Sequence, residues 1–116
     1  MREHKNLRAF TLADEVVVLI YKASRSIPRE EIFGLTSQIR RAAVSVPSNI
    51  VEGCARTTQA EYKRFLDIAY GSLKEMHYQF DLAFRLGYIQ EPLMNECKPK
   101  IIETEKVLAA LIRSMR

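Results

Sequence analysis

The stretch TQAEYKRFLDIAYGSLKEMHYQFDLAFRLG, residues 58–87, decides the fold. It opens on Thr58-Gln59-Ala60-Glu61, the pattern of a capping box. In such a box a Thr hydroxyl and a Glu carboxylate reciprocally satisfy the orphan amides of a first helical turn. Behind it Tyr62, Phe65, Leu66, Ala69, Leu73, Met76, Phe80, Ala83 and Phe84 recur in helical phase, and Gly87 stops the run. The spacing predicts a helix of about 40 Å. Ile68, Gly71, Leu82 and Leu86 lie on the other side, so this helix carries a second apolar edge.

Upstream, a helix capped by Thr36 or Ser37 is predicted. Leu35, Ile39, Ala43, Val46 and Ile50 share one of its faces. Val44, Pro47, Val51 and Cys54 form a second set, about 100° round from the first. Only Arg41, Ser45, Ser48 and Glu52 make a clean polar stripe. A helix apolar over more than one face is buried more than a lone bundle requires, which points to subunit contact. Pro47 removes a backbone donor from the interior. The apolar pattern keeps its phase across it, so a kinked, continuous helix is predicted rather than a break.

Further outward, a first helix begins near Thr11, with Ala13, Val16, Val17, Leu19, Ile20 and Ala23 facing a core. Ser26-Ile27-Pro28 stops it, and a short turn from Pro28 ends at Gly34. Gln90-Glu91-Pro92 starts a last helix. Cys97, Ile101, Leu108, Leu111 and Met115 form its stripe, flanked by Ile102, Val107 and Ile112. Pro99 either kinks this helix or delays its regular start. Four amphipathic helices on short loops predict an all-α, up-down-up-down antiparallel four-helix bundle, a single domain spanning residues 1–116.

The bulk numbers agree. A chain of 116 residues fits one domain, 47% hydrophobic residues fill one core, and four glycines with four prolines leave few helix breakers. Cys54 and Cys97 sit far apart without a CxxC pair, so they read as small core hydrophobes. The charged start Met1-Arg2-Glu3-His4-Lys5 has no apolar signal core behind it, and no stretch approaches a membrane span. Both point to the cytoplasm and away from membranes.

Chemistry has few footholds. His4 and His77 are the two histidines, with no HExxH, no paired Glu-x-x-His and no CxxC, so no metal site or cofactor is predicted. No Ser or Thr has a designated base, and the phosphate loop and dinucleotide fingerprint are absent. His77 reads as a half-buried packing residue at the edge of the third helix's stripe, and His77 or Thr104 would be the polar groups in the core. The sequence therefore predicts a protein that binds and does not catalyse.

The cations are more informative. Net charge is +4 and the isoelectric point about 9.2. Arg40 and Arg41 are adjacent on the second helix, while Arg56, Lys63 and Arg64 gather at the next connection. Only Glu52 and Glu61 oppose them between Thr36 and Arg64. Guanidinium suits phosphate forks, so these five are the candidate phosphate contacts. A solvated, salt-bridged helical face is the plainer reading of the same residues. In an antiparallel pair the two groups lie toward opposite ends, so a monomer does not automatically join them.

The run Ser37-Gln38-Ile39-Arg40-Arg41-Ala42-Ala43-Val44-Ser45-Val46-Pro47-Ser48-Asn49-Ile50-Val51-Glu52-Gly53 resembles the signature of the bacterial 23S rRNA intervening-sequence proteins. Residues 61–72 and Leu86-Gly87-Tyr88-Ile89 resemble two further blocks of that family. Val51 and Cys54 depart mildly from it, standing where small residues such as Ala are usual. The resemblance implies a four-helix bundle that assembles as a homopentamer. Some members are encoded within large-subunit rRNA genes. A related branch comprises accessory variability determinants of diversity-generating retroelements, which bind nucleic acid and a reverse transcriptase.

That expectation accounts for the surplus apolar faces. Val44, Pro47, Val51, Ile68, Leu82 and Leu86 become candidate interface residues in a ring of heterologous contacts. Five copies of a +4 chain carry about +20 around one axis. The function expected is an oligomeric accessory protein that binds RNA or DNA backbone. The alternative is a scaffold for a protein partner such as a reverse transcriptase or ribosome-associated factor, with nucleic acid incidental.

Overall fold

The computed structural model describes residues 2–115. Four helices carry the fold: α1, Arg8–Ser24; α2, Leu35–Cys54; α3, Gln59–Arg85; and α4, Glu91–Arg113. Short 3-10 turns at His4–Asn6 and Arg29–Glu31 precede α1 and α2. Each helix packs against two neighbours and not against the one diagonal to it, which gives a square, antiparallel bundle. The long axis measures 43 Å, about the length of the 27-residue α3. Among the described residues there is no strand, and no helix is long and apolar enough to cross a membrane.

The core follows the periodicity. Val16 and Ile20 from α1, Ile39, Val46 and Ile50 from α2, Leu66, Leu73, Met76 and Phe80 from α3, and Ile101 and Leu108 from α4 are almost wholly buried. Two helix starts depart from expectation because nearby groups take over the first turn. α1 begins at Arg8, before Thr11, because Ala9 and Leu12 extend its buried stripe and the Leu7 carbonyl accepts from the Phe10 and Thr11 amides at 3.1 and 3.2 Å. α2 begins at Leu35 with no hydroxyl cap. The Glu31 carboxylate instead accepts from the Leu35 amide at 3.2 Å, and Thr36 is buried.

The α3 capping box is half formed. The Thr58 hydroxyl accepts from the Glu61 amide at 3.1 Å, while the Glu61 carboxylate turns away to Arg64. At the other end Gly87 takes φ +80°, and the Gly87 and Tyr88 amides donate to Phe84 and Ala83, each at 2.9 Å. This is a Schellman turn, which glycine reaches without strain. It turns Ile89 into the core before α4 starts.

Both internal prolines lie within continuous helices. Pro47 does not break α2. Pro99 does not delay α4, which starts at Glu91 with Pro92 in its first turn. The second apolar set of α2 divides. Pro47 and Cys54 are buried beside the main stripe, whereas Val44 and Val51 stand outside. Pro47 is therefore a core residue, not a surface candidate for subunit contact. Cys54 and Cys97 are free and buried, as read from their apolar surroundings.

Candidate nucleic-acid interface

The antiparallel course of α2 and α3 sets where the cations go. Arg40 and Arg56 are separated by most of α2, about 24 Å at 1.5 Å per residue. The five candidate phosphate contacts thus form two groups at opposite ends of the bundle.

The upper group is committed within the chain. The Arg40 Nε donates to Ser24 Oγ at 2.8 Å, and its guanidinium lies 5.0 Å from the Tyr21 ring centre. It fastens α2 to α1. Arg41 donates to Glu75 Oε2 at 2.7 Å and to Gln38 Oε1 at 3.0 Å, joining α2 to α3. Arg40 is half-buried, and its guanidinium is held between Ser24 and the Tyr21 ring.

The lower group surrounds the 55–58 link. Arg56 lies 4.8 Å and Arg64 4.6 Å from the centre of the buried Phe65 ring. Arg56 also pairs with Glu52 at 2.9 Å, Arg64 with Glu61 at 3.0 Å, and Lys63 with Asp67 at 2.9 Å. The Arg64 hydrogen bond holds the Glu61 carboxyl below its usual range. These are exposed pairs within one helix or its end, and pairs of that kind contribute little to stability. Opening such a pair costs little, which leaves these cations available to another anion.

A fourth cation joins them that the sequence did not nominate. Arg2 lies 4.1 Å from the Tyr62 ring centre and donates to the Arg56 carbonyl at 2.8 Å and to Gln59 Oε1 at 3.3 Å. Among the described residues its acceptors are neutral. Arg2, Ala55, Arg56 and Thr57 line an open pocket beside the first turn of α3. Nothing in the sequence marked Arg2, because it stands 54 residues from Arg56 in a charged leading segment. Guanidinium groups laid on aromatic rings are pre-ordered, but each here already donates to a neighbour, Arg64 through both Nε and a terminal nitrogen to Glu61, so an incoming oxyanion would have to displace those acceptors.

A second polar cluster lies between α3 and α4. His77 Nδ1 is 2.5 Å from Glu105 Oε2, and His77 Nε2 is 3.4 Å from Asp81. Lys74 and Lys98 reach the same two carboxylates. His77 is half-buried, as expected, but it bonds Glu105 where packing alone was expected; the wholly buried Thr104 donates to the Lys100 carbonyl at 2.7 Å, and Gln79 and Glu105 are buried polar groups that the periodicity did not reveal. The cluster clasps two helices. Among the described residues no group of three or more His, Cys, Asp or Glu side chains is placed to hold a metal.

The apolar candidates separate in the same way. Val44 and Val51 on α2 and Ile68 on α3 are exposed on the outer side of this helix pair, with Gly71 beside Ile68 on α3. Leu82 is partly covered by its own chain, and Leu86 is exposed at the end of α3.

Fold and surface define a small all-helical bundle with a cationic end backed by aromatic rings. Residues 5–110 match the family described as 23S rRNA-intervening sequence protein, and the chain belongs to that family. Among solved structures it is similar to a protein of unknown function from the S23 ribosomal protein family of Bacteroides thetaiotaomicron VPI-5482. The two share 24% sequence identity with a TM-score of 0.81, over 90% of this chain and 97% of the other, which is a likeness of fold. A search of curated proteins finds no match.

Proposed function

We propose that the protein is a non-enzymatic, oligomeric accessory protein of the cytoplasm that binds nucleic-acid backbone. The observation that carries this reading is the cluster of Arg2, Arg56 and Arg64 on the Tyr62 and Phe65 rings, with Lys63 alongside. The family's name adds support toward RNA. Phosphate contacts of this type place a polyanion without reading its sequence. One cluster of partly answered charge is weak. A homopentamer would present five such clusters to one strand and gain through multivalency. The exposed Val44, Val51 and Ile68 supply apolar surface for that assembly.

The test is RNA binding at two salt concentrations, for the wild type and for a variant with Arg2, Arg56, Lys63 and Arg64 changed to Gln. Binding falls steeply with salt in the wild type and is lost in the variant at low salt. Salt-independent binding, or equal binding by the variant, overturns the reading. Light scattering tests the assembly: a pentamer has five times the chain's 13.4 kDa.

A second reading has its own observation. Arg41, Arg56, Lys63 and Arg64 each hold a carboxylate of the same chain, so the cationic surface is thinly charged. This favours a scaffold for a protein partner, such as a reverse transcriptase or ribosome-associated factor. Retention of that partner after nuclease treatment selects the scaffold.

A further inference from the structure

At the cationic end of the bundle the aromatic rings are covered. Tyr62 is 5% and Phe65 8% exposed, and the guanidinium groups of Arg2, Arg56 and Arg64 lie over the two rings. Phe10 and Tyr70, the next rings along α1 and α3, pack against the core, and the His4 ring meets Phe10 edge-on at 4.8 Å. Exposed rings stand elsewhere. Tyr78 is about 28 Å along α3 from Gln59. Phe33, 95% exposed, lies in the α1–α2 loop at the opposite end of the bundle, and Tyr21 lies under Arg40 toward that same end.

Single strands and duplexes ask different things of such a surface. Proteins that hold single strands combine a cationic groove with open rings on which unpaired bases stack. That stacking offsets the cost of ordering a flexible strand. A duplex has its bases stacked already, and it offers a stiff lattice with one charge per roughly 1.7 Å of axis. The protein surface is equally fixed. Arg2 is held by a ring and two acceptors, and Arg56 and Arg64 by a shared ring and one carboxylate each. The charges are also mixed: Glu52, Glu61 and Asp67 pair with Arg56, Arg64 and Lys63, and Glu3 follows Arg2. A surface so nearly balanced gains little from a sparse polyanion and most from a dense one.

We propose that the nucleic acid held by this end is double-stranded, and that single strands bind more weakly because Tyr62 and Phe65 are closed to bases. Arg2, Arg56, Lys63 and Arg64 then contact phosphates of the duplex, and no base enters the site. The exposed Thr57 hydroxyl and Gln59 amide stand beside them as further donors. This inference rests on the backbone-binding part of the proposed function and adds the form of the polyanion.

The experiment uses the full chain and fluorescence anisotropy. One pair of probes is a blunt RNA duplex and one of its strands, chosen not to pair with itself. The other pair is a thymidine homopolymer and an abasic strand with the same deoxyribose-phosphate backbone and length. The denser charge of the duplex releases more counterions per contact, so at about 0.1 M salt it is expected to bind about fivefold tighter than its single strand. Removing the bases from the thymidine strand is expected to leave its affinity unchanged. A variant with Arg2, Arg56, Lys63 and Arg64 changed to Gln, shown by circular dichroism to be folded, is expected to lose the duplex. A single strand bound as tightly as the duplex, or an abasic strand bound much more weakly than the thymidine strand, overturns the proposal and leaves backbone binding standing. A duplex preference that survives in the four-Gln variant belongs to another surface and also overturns it. Failure of every probe to bind at low salt overturns both readings.

Discussion

A Cβ placed on Gly53 would stand 2.9 Å from the Cβ of Phe65 and 3.3 Å from the Tyr62 carbonyl. The last turn of α2 therefore meets the first turns of α3 through a bare backbone. Helix propensity alone favours alanine over glycine by about 1 kcal/mol. Here the obstacle is a Cβ and a carbonyl, which move only with the backbone, and overpacking of that kind costs about 1–3 kcal/mol. Gly53→Ala is expected to lower stability in urea denaturation. A stabilised variant would show that the two helices part easily.

Gly71 predicts the opposite sign. It lies within α3, and a Cβ there meets nothing within 4 Å. Gly71→Ala is expected to raise subunit stability by about 1 kcal/mol through the backbone entropy of the unfolded chain. Urea unfolding of the two proteins in parallel makes the comparison. A loss of stability there contradicts the open surroundings of Gly71.

Arg40 and Arg56 should separate stability from binding. The Arg40–Ser24 hydrogen bond is partly buried and links two helices, so Arg40→Gln is expected to lower stability by about 1 kcal/mol. Its effect on RNA affinity should be small. Arg56→Gln should do the reverse, weakening RNA binding with little change in the urea midpoint. A double-mutant cycle with Ser24→Ala checks that the Arg40 loss belongs to this bond.

Alkaline pH acts through the buried acids. Burial pushes the Cys97 thiol from its ordinary 9.0 up to about 11, and raises Cys54 and Tyr62 as well. The folded state thus holds these protons more tightly than the unfolded one. The Cys97 contribution is complete below pH 9 and is lost as pH climbs from about 9 toward about 11. The urea midpoint is expected to fall across that window, and less steeply in Cys97→Ala. An identical slope in that variant would remove Cys97 as a cause.

Periodicity was sufficient for the four helices because each buries one stripe, and no long-range pairing was needed to find Val16, Ile39, Leu73 or Leu108. It failed where a neighbouring side chain competes for a cap. Glu31 replaces the hydroxyl cap expected at Thr36, and Arg64 draws Glu61 out of its box. Pro47 and Val44 belonged to one apolar set by helical phase, but only packing against neighbouring helices shows that the first is inside and the second outside. At the cationic end, Arg56, Lys63 and Arg64 were legible because they are close in sequence. Arg2 was not, since the fold alone brings it to Tyr62. Phe33 lay in a predicted turn, where periodicity carries no information about exposure.

The two enclosed thiols give the molecule an asymmetric relation to its surroundings. While folded, Cys54 and Cys97 are shielded from oxidants and alkylating agents. Once the bundle opens, each chain presents a pair of reactive sulfurs, and oxidation can then tie chains together before they refold. Air and heat in combination thus turn a reversible melt into a one-way loss, and a reductant restores the return path.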